Sequence, residues 1–124
     1  MRDIFNIMDI EGTSFPTGRC TRVVIGDNGM TAGEHFVQGY VVVSPGGSVP
    51  CHSHGEEESY TILSGQGKMI LEDQEHPAGP LDVFFIRPHI SHSLVNTGDT
   101  DLVFMFVYAP KKIADHWAEE LAQT

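Results

Sequence analysis

The chain has 124 residues, enough for one folding unit with a real core and too few for a second. Its 17 Asp+Glu against 7 Lys+Arg give a formal net charge of −10, which repels phosphate backbones and anionic lipid and sets aside nucleic acid and membrane surfaces as partners. With 40% hydrophobic residues, 13 Gly and 7 Pro, the composition suits many short strands joined by tight turns better than a helical bundle.

Residues 1–19 read as an N-terminal arm. The start Met1-Arg2-Asp3-Ile4-Phe5-Asn6 lacks the apolar core of a signal peptide, and no apolar run in the chain approaches membrane-span length, so a cytoplasmic location is expected. The first strand-like run is Thr21-Arg22-Val23-Val24-Ile25, closed by Gly26-Asp27-Asn28-Gly29. His35 stands at the edge of a second run over 36–44, which includes Val41-Val42-Val43 and ends at the turn Pro45-Gly46-Gly47.

The next segment carries the chemistry. In Cys51-His52-Ser53-His54-Gly55-Glu56-Glu57-Glu58 the two histidines are two apart, so an extended backbone puts both rings on one face. Gly55 allows a turn that brings Glu58 back beside them. From Glu58 the run alternates with period two, so Glu58, Tyr60 and Ile62 share a face before Ser64-Gly65-Gln66-Gly67 reverses the chain. Tyr60 can thus offer its hydroxyl to a substrate or serve as a core tyrosine, whereas Glu56 and Glu57 read as solvated or rim charges. Cys51 and Cys20 are too few for a disulfide framework and are expected as free thiols.

Further strand-like runs cover 68–71, 83–86 and 102–108. Between the first two, Asp73-Gln74-Glu75-His76-Pro77 reads as hairpin surface. After Arg87-Pro88 comes His89, at a turn position with unusual backbone angles, and then His92, Leu94 and Asn96 on one strand face. Phe84 or Phe85, Leu94, Phe104 or Phe106, and Tyr40 are expected to line the interior, with parity open. Beyond Pro110, Ile113, Trp117 and Leu121 recur every four residues, which predicts a short C-terminal helix over 110–122.

Three imidazoles and one carboxylate, His52, His54, His92 and Glu58, therefore come from separate turn-flanked segments. With room for two more ligands, such a set suits one divalent transition metal, Fe, Mn, Ni, Co or Zn. A metal with open positions can bind and polarise a small oxygen-rich ligand. Arg22 and Arg87 are the anion partners legible in the sequence, and Arg87, close to His92, is expected to anchor a small carboxylate.

These segments resemble the cupin family. Its first motif runs Gly, five residues, His-x-His, three or four residues, Glu, six residues, Gly, and Gly46, His52, His54, Glu58 and Gly65 fall on every position. Its second is carried by Pro88, His92 and Asn96, with Leu81-Asp82, Arg87 and His89 standing where the family usually has Gly-Asp, Pro and Gly. The resemblance spans roughly residues 20 to 108 and implies an all-β fold, a double-stranded β-helix or jelly-roll barrel, in one domain over 1–124. It further implies a metal-dependent dioxygenase, decarboxylase or lyase, with Tyr60 and Arg87 as catalytic candidates. The alternatives are a non-catalytic metal or small-molecule binding module and a metal-free isomerase or epimerase. A homodimer is also implied, with Ile4, Phe5, Ile7 and Met8 as contacts of the arm.

Overall fold

The alternating runs become strands. The computed structural model describes residues 2–111, and among them it contains ten strands, one 3₁₀ turn at Ile7–Asp9 and no α-helix. The strands are β1 (Thr13–Ser14), β2 (Arg19–Ile25), β3 (Val37–Val43), β4 (Ser48–His52), β5 (Glu57–Ser64), β6 (Gly67–Leu71), β7 (Gln74–Ala78), β8 (Val83–Ile86), β9 (His92–Asn96) and β10 (Leu102–Ala109). They form a six-stranded sheet in the order β1-β2-β3-β10-β5-β8 and a four-stranded sheet in the order β4-β9-β6-β7, with neighbouring strands antiparallel. The two sheets enclose one core, the jelly-roll barrel that the resemblance implies. The helix expected over 110–122 falls on residues beyond 111 and so lies outside the described residues.

Period-two alternation decides which side chains meet inside. On β3 the inner face is Val37, Gly39, Val41 and Val43, and on β10 it is Leu102, Phe104, Phe106 and Tyr108. Register sets Phe104 between Val41 and Ile62, Phe106 between Gly39 and Tyr60, and Tyr108 beside Glu58. Val49, Met69 and Leu94 of the smaller sheet close the core from the other side. The open parity is thereby resolved: Phe104 and Phe106 both face inward, Phe84 packs on the core, and Phe85 faces outward at 49% exposure. Tyr40 is a correction, because it sits between two inward residues of β3 and so falls on the outer face, half-buried.

Two glycines are demanded by contacts. Gly65, in the β5–β6 turn, has φ +90°, and a Cβ there would stand 2.4 Å from the Asp101 carbonyl oxygen. Gly39 has an ordinary backbone, but the Phe106 ring lies on it, and an added Cβ would meet ring atoms at 2.2 Å. Gly39→Ala is therefore expected to cost about 1–3 kcal/mol by overpacking, read as a lower denaturant midpoint with an unchanged m-value.

Asn96 ties the barrel's ends together. Its Nδ2 donates to the carbonyls of Val43 and Thr100, each at 2.9 Å, and its Oδ1 accepts from the Gly98 N–H at 2.9 Å. A buried amide with both ends satisfied holds the β9–β10 turn against the end of β3.

Candidate metal centre

Four side chains from four places in the chain converge at one point. His52 closes β4 and pairs in register with His92, which opens β9. His54 lies in the loop that follows, and its carbonyl accepts from the His89 N–H at 2.7 Å, which ties that loop to the one before β9. His89 has φ +68°, the unusual turn conformation expected of it. Glu58 sits on the inner face of β5, two residues from Tyr60. One ligand atom from each of His52, His54, Glu58 and His92 lies within 4.8 Å of the other three. Ring centroids are 4.1 Å apart for His52 and His92, 5.1 Å for His54 and His92, and 5.5 Å for His52 and His54.

The backbone fixes how these rings present themselves. Each Nδ1 contacts a carbonyl, His52 that of Pro50 at 2.7 Å, His54 that of Glu56 at 3.1 Å and His92 that of Ile90 at 2.9 Å. A carbonyl only accepts, so each Nδ1 carries the proton and each neutral ring turns the lone pair of Nε2 toward the centre. Glu58 Oε1 stands 3.1 Å from His54 Nε2 and 3.3 Å from His92 Nε2. The His92 Nε2 atom is buried and, among the described residues, has no hydrogen-bond partner. Lone pairs facing a carboxylate oxygen at such distances repel unless a proton or a cation lies among them. The donor set thus fits a divalent metal, with His52, His54, His92 and Glu58 as the residues that would hold it.

The pKa directions express the same crowding. The hydrogen bond to Glu58 raises His54 above its ordinary 6.5 against the opposing effect of burial, helped by the charge of Glu58 and by Glu56. Burial pushes the Glu58 carboxyl up, yet the His54 and His92 imidazoles outweigh it and hold the group below 4.5. Burial, then the charges of Glu58, Glu56 and Asp27, push the Tyr108 phenol up to about 12, so it stays a neutral hydroxyl.

Beside this cluster opens a small cavity. Its walls are Val41, Val49, Phe104 and Phe106 with Tyr60 and Tyr108, and its polar lining includes His52, His54, Glu58, Glu56 and Arg19. Tyr60 is buried, stacked on Phe104 at 4.5 Å and edge-on to His92 at 6.0 Å. Arg87 lies elsewhere: exposed, 5.2 Å from the Phe85 ring centroid, it faces a surface groove with Glu72, Asp73 and His76. It does not line the cavity beside the cluster, because β8 has Ile86 facing inward and the next residue faces out.

Two residues of the cavity go beyond the sequence reading. Glu56 is buried, with Oε1 3.7 Å from His54 Nδ1, and is not a rim charge. Extending the β5 alternation two residues back from Glu58 would have found it. Arg19, in the stretch that reads as the arm, is the first residue of β2, and the parity of Thr21 carried back two residues places it on the inner face. His76, half-buried on β7, and exposed His35 lie outside the cluster.

Comparison with known proteins agrees with the geometry. A segment of the chain is 45% identical over 64 residues to an oxalate-binding protein of Thermotoga maritima, covering 51% of this chain and 53% of that one. A glucose-6-phosphate isomerase of Pyrococcus abyssi is 34% identical over 65 residues, covering 46% of this chain and 34% of that one. The chain thus spans about half the length of the first of these relatives and a third of the second. Among solved structures, a predicted oxalate decarboxylase from Thermotoga maritima superposes with a TM-score of 0.77 at 27% identity, over 86% of this chain and 98% of that one. The polyketide cyclase RemF from Streptomyces resistomycificus gives 0.77 at 24% identity, over 92% and 83%, a likeness of fold. The family model described as the cupin domain matches residues 39–108, more than half of the chain and a stretch that contains the whole cluster, so this chain belongs to the cupin family.

Proposed function

We propose that the chain is a metal-dependent enzyme of the dioxygenase, decarboxylase or lyase type. It holds one divalent transition metal, Fe, Mn, Ni, Co or Zn, on His52, His54, Glu58 and His92 and acts on a small, oxygen-rich or partly apolar metabolite. The observation that carries this reading is the convergence of four ligand atoms, with three tautomers set by backbone carbonyls, at the wall of an apolar cavity. When bound, such an ion supplies Lewis acidity and open positions for oxygen ligands. The chain supplies the rest. Val41, Val49, Phe104 and Phe106 keep water away and limit size, and Tyr60 presents a phenol toward the same space to steer a proton at the substrate.

A second reading, a non-catalytic cupin that binds metal and a small ligand, is favoured by the 45% identical relative described as an oxalate-binding protein. Screening the Fe(II)- and Mn(II)-loaded protein with oxo-acids and diols, for oxygen uptake and for product, separates the two. Turnover supports the enzyme; tight binding without turnover supports the binding module. In the first case Tyr60→Phe is expected to lower kcat by ~10²-fold with metal content unchanged. An unaltered kcat would reduce Tyr60 to a wall of the cavity.

A metal-free isomerase or epimerase has no use for a complete ligand set. A sugar phosphate would also meet Glu56 and Glu58 in a cavity where, among the described residues, Arg19 is the one lining Lys or Arg. The proposal includes a cytoplasmic homodimer. Ile4 of the arm is 89% exposed, and Leu81, Val83 and Phe85 along the β8 edge are exposed as well, apolar surface that a second copy would cover.

A further inference from the structure

A guanidinium stands in the wall of the same cavity. Arg19 is 4% exposed, on the inner face of β2 beside Val43 of β3, and two residues before the buried Thr21. One of its terminal nitrogens donates to Thr21 Oγ1, and its Cζ lies 3.7 Å from the centroid of the Phe15 ring. Stacking and hydrogen bond together set the plane of the fork, so its direction is built in and not left to side-chain freedom.

We propose that Arg19 is the anion-recognition residue of the site, and that the ligand is a small carboxylate: an oxo-acid or a short dicarboxylate with one carboxylate on the Arg19 fork and another oxygen on the His52, His54, Glu58 and His92 cluster. This rests on the metal-binding reading above. A planar fork matches the two oxygens of a carboxylate in a way that neutral diols do not exploit. The apolar remainder, Val41, Val49, Phe104 and Phe106, leaves a short carbon skeleton as the middle of the ligand.

The test is calorimetric titration, under argon, of Mn(II)-loaded protein with oxalate, malonate and catechol, with metal content measured on every sample. Arg19→Gln is expected to weaken oxalate and malonate roughly 10- to 100-fold, while catechol changes by less than about twofold and metal content stays at the wild-type level. Arg87→Gln, outside the cavity, is expected to leave all three affinities alone. Arg19→Lys keeps a charge without the fork, and an intermediate loss for the dicarboxylates is expected; it also serves if the Gln variant does not fold. Dicarboxylate binding at wild-type strength in the Gln or the Lys variant at full metal content overturns the proposal, as does an equal loss for catechol. A wild-type protein that takes up metal and binds neither dicarboxylate overturns it alone. One that takes up no metal overturns the reading beneath it as well, and the metal measurement tells the two apart.

Discussion

Replacing Glu58 with Gln is expected to cut divalent-metal affinity by at least ~100-fold while leaving the barrel folded. Partners that merely orient a ligand are worth 10- to 100-fold in metal affinity, and Glu58 is a ligand candidate itself. Gln fills almost the same volume, so the inner face of β5 between Ile62 and the His54 loop keeps its packing. What the substitution removes is the ionised oxygen within 3.1 Å of His54 Nε2 and 3.3 Å of His92 Nε2. His54 then loses the partner that holds its pKa up, so its titration should move back toward ordinary imidazole behaviour. His54→Ala is expected to lower occupancy strongly too, though it opens space as well as removing a ligand. His76→Ala, on β7 and outside the cluster, should match wild type. The measurement is metal content by elemental analysis after equilibration with a chelator of graded strength. A Glu58→Gln protein that retains metal like wild type would remove the carboxylate from the ligand set.

Much of this site could be read from residue spacing, because the ligands lie on strands and the parity of a strand is visible in sequence. His92, Leu94 and Asn96 do share the buried face of β9, and Glu58, Tyr60 and Ile62 that of β5. What the sequence concealed follows from weak or misleading local signals. β7 is Gln74-Glu75-His76-Pro77-Ala78, polar and proline-bearing, and it reads as surface hairpin; it is an edge strand, where a missing N–H is tolerated. β4 carries Pro50 and a register shift between Val49 and His52, so alternation fails just where His52 is delivered to the cluster. Tyr40 and Phe85 were ambiguous because β3 and β8 are apolar on both faces, which leaves period two without contrast.

Arg19 and Arg87 show the limit from the other side. Proximity in sequence to His92 favoured Arg87, yet a strand reverses its facing at every residue, and Arg87 ends up against Phe85 on the outside. Arg19 is thirty-three residues before His52 and reaches the cavity through the pairing of β2 with β3, a long-range contact with no local signature.

Metal affinity is expected to rise with pH through the raised pKa of His54 and to level off above it. Binding at Nε2 requires that ring to be neutral, so wherever His54 is protonated each bound metal displaces a proton, and affinity should change about tenfold per pH unit. The hydrogen bond to Glu58 is the first reason that this region extends above 6.5. The signs for the metal-free protein run the other way. The raised pKa of His54 contributes stability that is full below 6.5 and is lost as pH rises through its folded value. The lowered pKa of Glu58 contributes stability that is present above 4.5 and is lost as pH falls through its folded value. Metal-free protein should therefore gain most from this pair between those limits, where ring and carboxylate are both charged and a proton occupies the place of the metal. Thermal melts with and without Mn(II) test both signs together: the metal-induced rise in Tm should be small near pH 6 and grow toward pH 8, and metal should be released on acidification well before pH 4. An increment independent of pH across that range, with occupancy flat down to pH 4, would mean that histidine does not ligate the ion, and the cluster would have to be read as a proton-sharing pair inside an otherwise structural core.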